Sequence, residues 1–203
     1  MSRTNLERST DSRRRLIEAG RQLFGEHGYA ATSTPRIAAA ANVSRGALYH
    51  HFADKAALFA AVIEAEYERL DAEIERVSSI VSDPLESLIE GGDAFISAAS
   101  DPISQRLLFI EAPAVISGER LLQVDNQTTT DSLRKGIEAA QAAGRLPRDI
   151  PTAALTSMMS GAYDRAVLDG FGLDEAGRLA VRHAIRSLWH GLSKLTRTGM
   201  PTQ

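Results

Sequence analysis

The apolar residues of this chain recur every three or four positions, and strict alternation of apolar and polar residues is absent. The first stripe is formed by Leu16, Ala19, Gly20, Leu23 and Phe24. A period near 3.6 places such a stripe on one side of an α-helix, whereas a half-buried strand needs a period of two. The pattern therefore predicts an all-α fold with about nine helices.

Residues that cap helix N-termini precede the first four stripes, namely Thr10, Asp11 or Ser12, then Thr34, Ser44 and Asp54. Gly28 is placed to end the first helix in a left-handed turn, and Pro35 suits the first position of the second helix. We expect the second helix to end near residues 41–42 and the third to reach about His51. A long fourth helix follows.

Proline and glycine divide the remaining chain into further helices. These are expected to open at Pro84, Pro102, Glu119, Pro151 and Asp174. Ala112-Pro113 and Ser117-Gly118 are expected to break the chain. The segment from Glu119 to Ala143 reads as one helix closed by Gly144, and the last helix is expected to reach about Arg197.

Residues 34–52 have the spacing of a helix-turn-helix, because two short helices are joined by a tight turn at Asn42-Val43. Leu48 and Phe52, four positions apart, are expected to face the core. The opposite side of the second helix then presents polar groups to solvent. This division suits a recognition helix in the major groove of DNA, where an arginine can contact guanine through two hydrogen bonds.

The same region resembles the TetR family of bacterial regulators. The resemblance rests on Ile17-Glu18-Ala19, Leu23-Phe24, His27-Gly28-Tyr29, Thr32 to Ile37, Ala38, Ala41, Val43-Ser44, Gly46, Leu48-Tyr49-His50-His51-Phe52, Lys55 and Leu58-Phe59. It covers about residues 10–65. In the body of the chain it rests on the helix count and on the stretch from Glu111 to Val115. It implies a DNA-binding domain over residues 1–55 and an effector-binding, dimerising domain over residues 56–203.

The resemblance also implies the residues that contact DNA: Ser33, Thr34, Arg36, Ser44, Arg45, Gly46, Tyr49, His50 and Lys55. The first three would contact phosphates at the start of the second helix, and Lys55 would contact a phosphate at the start of the fourth. Pro35 departs from the usual family pattern. Arg13, Arg14 and Arg15 are either DNA contacts or solvated surface residues.

Charge supports a nucleic-acid partner for the N-terminal part alone. Residues 1–55 carry nine Lys and Arg against five Asp and Glu, a net charge of +4, and the remainder carries −7. The chain contains no cysteine, which excludes disulfides and thiolate metal sites. The polar, basic residues 1–15 lack the apolar stretch of a secretion signal, and no apolar run approaches the roughly 18 residues of a membrane span. We therefore expect a cytoplasmic protein.

In the family, the fourth to seventh helices surround an effector cavity. Candidate lining residues are Tyr67, Phe95, Leu108, Phe109, Val115, Val124, Met158, Met159 and Tyr163, and the competing interpretation for each is ordinary core packing. Polar contacts could come from Asp93, Gln105, Glu111, Gln127, Thr128 and Asp164. Because phenylalanine, methionine, leucine and tyrosine dominate this set, we expect a mostly apolar small-molecule effector.

The last two helices form a dimer interface in the family. Here they carry the apolar residues Leu155, Ala162, Ala166, Ile185, Leu188, Trp189, Leu192 and Leu195, with Gly161 and Gly191 allowing close helix approach. Packing within the chain is the alternative for part of this stripe. The sequence therefore predicts a homodimer.

Two other classes of function stay open. A helical enzyme is one, but none of the five histidines lies in a Glu-x-x-His or His-x-x-x-His pair, and phosphate-binding loops and nucleophile elbows are absent. We therefore predict no catalytic residues, metal site or cofactor. The other is a DNA-binding regulator without a small-molecule effector. The favoured hypothesis is a repressor released from its operator by such an effector.

Overall fold

The computed structural model describes residues 5–170 and 172–196, without the side chains of residues 5 and 6. Within these residues all regular structure is helical, which confirms the all-α prediction. The α-helices are α1 (Asn5–His27), α2 (Thr34–Ala40), α3 (Arg45–His51), α4 (Lys55–Ser78), α5 (Pro84–Ala99), α6 (Pro102–Arg106), α7 (Ala112–Val115), α8 (Gly118–Asn126), α9 (Thr129–Ala142), α10 (Thr152–Asp169) and α11 (Glu175–Leu195). A π-helical segment, Leu107–Glu111, lies between α6 and α7.

Most of the predicted helix ends are confirmed by their hydrogen bonds. The side chains of Ser44 and Asp54 accept backbone N–H groups of α3 and α4 at 3.1 and 2.7 Å. Asp83 accepts two N–H groups at the start of α5. Gly28 and Gly144 adopt φ angles of 85° and 69°, which glycine reaches without the steric cost of a Cβ.

Two predicted helix starts were wrong. α1 begins at Asn5, before the three candidate caps, because the residues between them include no proline or glycine that would stop the helix. The cap of α2 is Ser33, and Thr34 is already the first helical residue. The expected end of the last helix at Arg197 lies outside the described residues, and α11 is assigned to Leu195.

The predicted break at Ala112-Pro113 was wrong, because helical turns continue from Pro102 to Val115. The segment Leu107–Glu111 is π-helical, and the N–H of Ala112 bonds to the carbonyl of Leu107, five residues earlier. Proline lacks an N–H and crowds the carbonyl four residues before it. The wider π-turn accommodates Pro113 without ending the helix.

The predicted single helix from Glu119 to Ala143 was also wrong. It is divided into α8 and α9 at residues 127–128, where Thr128 leaves helical geometry with a ψ of −106°. The carboxylate of Asp125 accepts hydrogen bonds from the hydroxyls of Thr129 and Thr130, at 2.5 and 2.8 Å. Such local side-chain bonds compete with a continuous helix.

The chain forms two compact units. Among the described residues, the first comprises residues 5–67 and 101–124, and the second comprises residues 68–100, 125–170 and 172–196. The core of the first unit contains Leu16, Phe24, Ile37, Leu48 and Phe59, all fully buried. Phe24 and Phe59 meet edge to face, with ring centroids 5.1 Å apart. This core fixes α1, α2 and α3 against the start of α4.

The second unit is built from the C-terminal part of α4 together with α5, α9, α10 and α11. Its core contains Leu85, Ile89, Ile137, Val167 and Trp189, each almost completely buried. α5 packs against α9, α10 and α11, and α9 packs against α10. This packing holds α5, α9 and α10 around the cavity described below.

Candidate DNA-binding surface and ligand cavity

The turn between α2 and α3 is fixed by backbone and side-chain bonds. Asn42 takes a left-handed φ of 51°, and the N–H of Val43 bonds to the carbonyl of Ala38 at 2.9 Å. Arg15 donates from Nη1 to the carbonyl of Ala41 at 3.1 Å. Arg15 therefore holds the turn in place, a role that the sequence reasoning about Arg13–Arg15 missed.

The structure places five of the predicted DNA contacts on one exposed surface, namely Ser44, Arg45, Gly46, Tyr49 and His50. Leu48 is fully buried behind them, as its position in the helix predicts. Open space surrounds the α-carbon of Gly46. The exposed side of α3 can therefore approach another molecule closely along its backbone.

Tyr49 is oriented by two neighbours. Its hydroxyl lies 3.0 Å from the hydroxyl of Thr34, and the guanidinium of Arg45 lies 5.7 Å from the centre of its ring. The hydrogen bond with Thr34 lowers the pKa of Tyr49, with Arg45 adding to the effect. Thr34 itself is buried, so its hydroxyl serves to position Tyr49 in this structure.

The other predicted contacts at the start of α2 are exposed. Ser33 and Arg36 both lie at the surface, and Nη2 of Arg36 is 2.8 Å from Nε2 of His27. This contact joins α2 to the end of α1. It leaves the guanidinium on the outside of the first unit.

Lys55 binds the loop between α1 and α2. Its ammonium donates to the backbone carbonyls of Tyr29 and Thr32, at 2.7 and 2.9 Å, and lies 4.1 Å from the centre of the Tyr29 ring. Lys55 therefore fixes the loop that leads into α2. Its predicted contact with a DNA phosphate stays a prediction.

Tyr29 is held from the opposite side by the π-helical segment. Its backbone N–H donates to the carboxylate of Glu111 at 3.0 Å. Arg106 donates to the same carboxylate at 3.3 Å and to the carbonyl of Glu26 at 2.9 Å. The end of α1 is thus bound to α6 and the π-helical segment by charge-assisted hydrogen bonds, which are stronger than neutral ones.

A buried ion pair joins α1 to α4. The guanidinium of Arg21 donates through Nε to Glu66 at 2.6 Å and through Nη2 at 3.3 Å, and the Glu66 side chain is fully buried. Arg21 also approaches Asp101 at the start of α6, at 3.3 Å. The pair fixes the register of three helices in the first unit. It falls outside every motif, so the sequence did not reveal it.

The second unit contains a cavity of about 400 Å³. It is lined by the C-terminal part of α4, by α5, α9 and α10, and by Asp125. Among the predicted ligand contacts, Phe95, Tyr163 and Asp164 line it. The volume lies in the usual range for small-molecule sites, so the cavity can hold a compact organic molecule.

Phe95 and Tyr163 form an aromatic wall in the cavity, with ring centroids 6.1 Å apart and planes at 72°. The hydroxyl of Tyr163 accepts a hydrogen bond from Nε1 of Trp189 at 2.9 Å, and burial raises the pKa of Tyr163 to about 12. A Cβ at position 92 would collide with this hydroxyl, so Gly92 permits its placement. Tyr163 therefore stays neutral in the physiological range.

The remaining lining is more polar than the sequence led us to expect. It includes the carboxylates of Asp71, Glu75, Asp125 and Asp164, several hydroxyls and the ammonium of Lys135. Burial raises the pKa of Asp164 to about 6, and the negative charge of Asp125 contributes. Asp164 was among the predicted polar contacts, whereas the other charged residues were missed because only the folded chain brings α4, α8, α9 and α10 together.

The other predicted ligand contacts lie elsewhere. Tyr67, Leu108, Phe109, Val115 and Val124 belong to the first unit. Met159 is buried in α10, and Met158 is 73% exposed on the same helix, both outside the cavity lining. Among the predicted polar contacts, Asp93 pairs with Arg186 at 2.5 Å, and Glu111 binds Tyr29.

The predicted dimer stripe divides into a buried and an exposed part. Leu155, Ala166, Ile185 and Trp189 pack inside the second unit. Leu188, which is 56% exposed, and Leu195 point outward, as does Leu179 on the same helix. Open space surrounds the α-carbons of Gly161 and Gly191. α10 and α11 therefore present apolar side chains and helix backbone to solvent.

A site for a metal ion and a span of a membrane are both lacking within the described residues. Histidine, aspartate and glutamate side chains do not form a group of three that could hold a metal ion in this part of the chain. Within the same residues, each helix is too short or too polar to cross a bilayer.

Comparisons with known proteins agree with this arrangement. A family model described as "Bacterial regulatory proteins, tetR family" matches residues 16–62, which contain α2 and α3. A second model, described as "Tetracyclin repressor-like, C-terminal domain", matches residues 85–194. Together the two matches cover the helix-turn-helix and most of the cavity lining.

Similar proteins include the HTH-type transcriptional repressor AcnR of Corynebacterium glutamicum, 28% identical over 166 residues that cover 81% of this chain and 82% of that protein. The HTH-type transcriptional repressor Rv1474c of Mycobacterium tuberculosis is 30% identical over 155 residues, 75% and 81% of the two chains. A crystal structure of a TetR-family transcriptional regulator from Pectobacterium atrosepticum matches with a TM-score of 0.75 and 30% identity, over 94% and 97% of the two chains.

Proposed function

The chain belongs to the TetR family of bacterial transcription regulators, and we propose that it is a homodimeric repressor that a small molecule in the cavity releases from operator DNA. It is a DNA-binding regulator of transcription. The relatives named above are regulators too, two of them named as repressors. These names favour a transcriptional repressor over a helical enzyme.

The observation that carries the proposal is the exposed side of α3. Arg45, Gly46, Tyr49 and His50 lie together on it, and Thr34 holds the phenol of Tyr49 in one orientation. A positioned arginine at the start of a recognition helix can read a guanine in the major groove. We assign base contacts to Arg45 and Tyr49, and phosphate contacts to Ser33, Arg36 and Ser44.

Exposed apolar residues on α10 and α11 support the homodimer. Leu179, Leu188 and Met158 are large apolar side chains left at the surface of the second unit. A two-fold symmetric dimer would cover them and present two copies of α3 to a pseudo-palindromic site. We therefore assign Met158 to the dimer surface in this proposal.

The release mechanism follows from α4. The helix begins with Lys55, which binds the loop before α2, and its C-terminal part supplies Asp71, Ile74 and Glu75 to the cavity lining. A ligand that displaces this part of α4 acts on the helix that positions the DNA-binding loop. Because half-sites have a fixed spacing, a small displacement in each protomer weakens binding.

The test begins with the operator. Genomic fragments that the full-length protein retains are selected and sequenced, and compounds that raise its melting temperature are then titrated with and without that operator. Thermodynamic linkage makes the effect reciprocal. If the ligand weakens operator binding by some factor, the operator must weaken ligand binding by the same factor. We expect a factor of about 5–150. Equal ligand affinity in both titrations would leave a regulator without an effector.

A further inference from the structure

The ionisable side chains that line the cavity are mostly acidic. Asp71, Glu75, Asp125 and Asp164 face a single basic residue, Lys135. The ammonium of Lys135 is 2.7 Å from the carboxylate of Asp131, which is outside the lining. Among the described residues of the lining, the one cation is therefore already paired, and the cavity walls carry excess negative charge.

Hydroxyl groups hold two of these carboxylates in place. Ser132 donates to Asp71 at 2.5 Å, and Thr129 and Thr130 donate to Asp125 at 2.5 and 2.8 Å. A neutral hydroxyl stabilises a carboxylate without cancelling its charge. The acidic groups are thus fixed by α9, and their charge is left for another partner.

Asp164 differs from the other carboxylates. It accepts no hydrogen bond and forms no ion pair within the described residues, although it lies largely inside the cavity wall. Burial and the charge of Asp125 both disfavour its ionised form. A positive charge in the cavity would remove this penalty, because an opposite charge nearby favours the ionised form.

The aromatic wall suits the same kind of ligand. Phe95 and Tyr163 both line the cavity, with their ring planes at 72° to each other. A cation above an aromatic face is attracted by the ring quadrupole. An apolar body on the cation would occupy the rest of the cavity.

We propose that the cavity binds an organic cation, an ammonium or amidinium group carried on an aromatic or aliphatic body. The proposal rests on the proposed function, in which the cavity holds the effector, and it names the effector's chemical class. An anion would meet four carboxylates. A purely apolar molecule would remove water from those carboxylates without replacing it, which is costly. The mostly apolar effector expected from the sequence is therefore revised.

The test compares three compounds of similar shape by calorimetry on the full-length protein. Benzyltrimethylammonium is the cation, neopentylbenzene its neutral counterpart and phenylacetate an anion. We expect the cation to bind roughly ten-fold or more tightly than the neutral compound, and phenylacetate not to bind. Equal or tighter binding of neopentylbenzene, or no binding of the cation, would overturn the assigned class.

Variants locate the binding site. Asp164→Asn and the double variant Asp125→Asn/Asp164→Asn should reduce the preference for the cation, since they keep side-chain size and remove charge. Asp169→Asn is the matched control, because its carboxylate pairs with Arg165 on the exposed side of the same helix. A preference for the cation that survives in the double variant would place the cation elsewhere and contradict the proposal.

The same compounds, added to the protein–operator complex, separate this inference from the proposed function. A neutral compound that binds the cavity and releases the operator would overturn the cation class and leave the effector-released repressor standing. A cation that binds through Asp164 without changing operator affinity would support a cationic ligand. It would contradict the proposal that a ligand in the cavity releases the protein from the operator.

Discussion

The carboxylate of Glu111 accepts a hydrogen bond from the backbone N–H of Tyr29 at 3.0 Å, across 82 positions of the chain. The backbone carbonyl of Tyr29 accepts a hydrogen bond from the ammonium of Lys55 at 2.7 Å. A negatively charged carboxylate therefore binds the N–H of Tyr29, and a positively charged ammonium binds its carbonyl. This arrangement ties the loop before α2 to the π-helical segment and to the start of α4.

Replacing Glu111 tests the importance of that contact. Glu111→Ala leaves the N–H of Tyr29 and the Nε of Arg106 without their acceptor, so we expect the free energy of unfolding to fall by about 1–3 kcal/mol. Glu111→Gln keeps an acceptor oxygen and should recover part of the loss. Chemical denaturation measures both. Glu119→Ala, at an exposed position of α8, is the control, and an equal loss in that variant would contradict the assignment.

The contact between Thr34 and Tyr49 gives a prediction about DNA affinity. Thr34→Val and Tyr49→Phe should each weaken operator binding about 3- to 10-fold, the value of one hydrogen bond of roughly 0.5–1.5 kcal/mol. The double variant should bind no more weakly than Tyr49→Phe, because both changes remove the same interaction. Fluorescence anisotropy with labelled operator measures these affinities.

A spectroscopic measurement separates positioning from general damage. Because the hydrogen bond with Thr34 lowers the pKa of Tyr49, that pKa should rise towards its ordinary value in Thr34→Val. Thr156→Val removes a hydroxyl that donates within α10 and is the control. Additive losses in the double variant, with an unchanged tyrosinate titration, would show that Thr34 does not act through Tyr49.

The dimer proposal predicts a strong effect at Leu188. Leu188→Arg places a charge in the apolar surface of α11, and we expect the dimer dissociation constant to rise about 100-fold, or roughly 3 kcal/mol. Sedimentation velocity measures the change. Leu122→Arg is the control, since Leu122 is 63% exposed on α8. A wild-type chain that sediments as a monomer at micromolar concentration would refute the homodimer itself.

Asp164 gives a prediction about pH. Its pKa is about 6 in the folded chain against 3.8 for an ordinary aspartate, so between these values the folded state holds a proton that the unfolded state has lost. The contribution of Asp164 to the stability of the wild type should therefore fall as the pH rises from about 4 to about 6 and stay reduced above that window. The charged or titratable groups that share its cavity are Asp71, Glu75, Asp125, Lys135 and Tyr163.

Asp164→Asn should remove this loss. At neutral pH we expect the variant to be more stable than wild type by about 1–3 kcal/mol, with the difference vanishing below pH of about 4. Denaturation curves across this range measure it, with Asp169→Asn as the control. A variant less stable than wild type at neutral pH would show that the ionised carboxylate is stabilised in the fold.

Features that depend on adjacent residues could be predicted from the sequence. Ser44, Asp54 and Asp83 cap helices because their oxygens reach N–H groups two or three positions away. Gly28 and Gly144 end helices for an equally local reason. The exposed side of α3 followed from the helical period, which buries Leu48 and leaves Tyr49 outside.

Features that depend on distant residues could not be predicted in this way. Hydrophobic periodicity does not reveal that Lys55 and Glu111 hold the same loop, or that Arg21 pairs with a buried Glu66. Of the acidic lining residues only Asp164 was predicted, and Asp71, Glu75 and Asp125 were missed because they are polar and come from helices far from it in the sequence. The apolar candidates were chosen by residue type, and most of them occupy the cores or surfaces of the two units.

Footprinting on a selected genomic operator will show whether the exposed side of α3 reads operator DNA in a dimer. We expect wild type to protect two half-sites about one helical turn apart. Arg45→Ala should weaken operator binding by roughly 1–3 kcal/mol and lose the preference at one base pair. Arg120→Ala, at an exposed position of α8, should bind as the wild type does. Unchanged protection by Arg45→Ala, with wild-type affinity and sequence preference, would show that Arg45 on α3 does not read the operator.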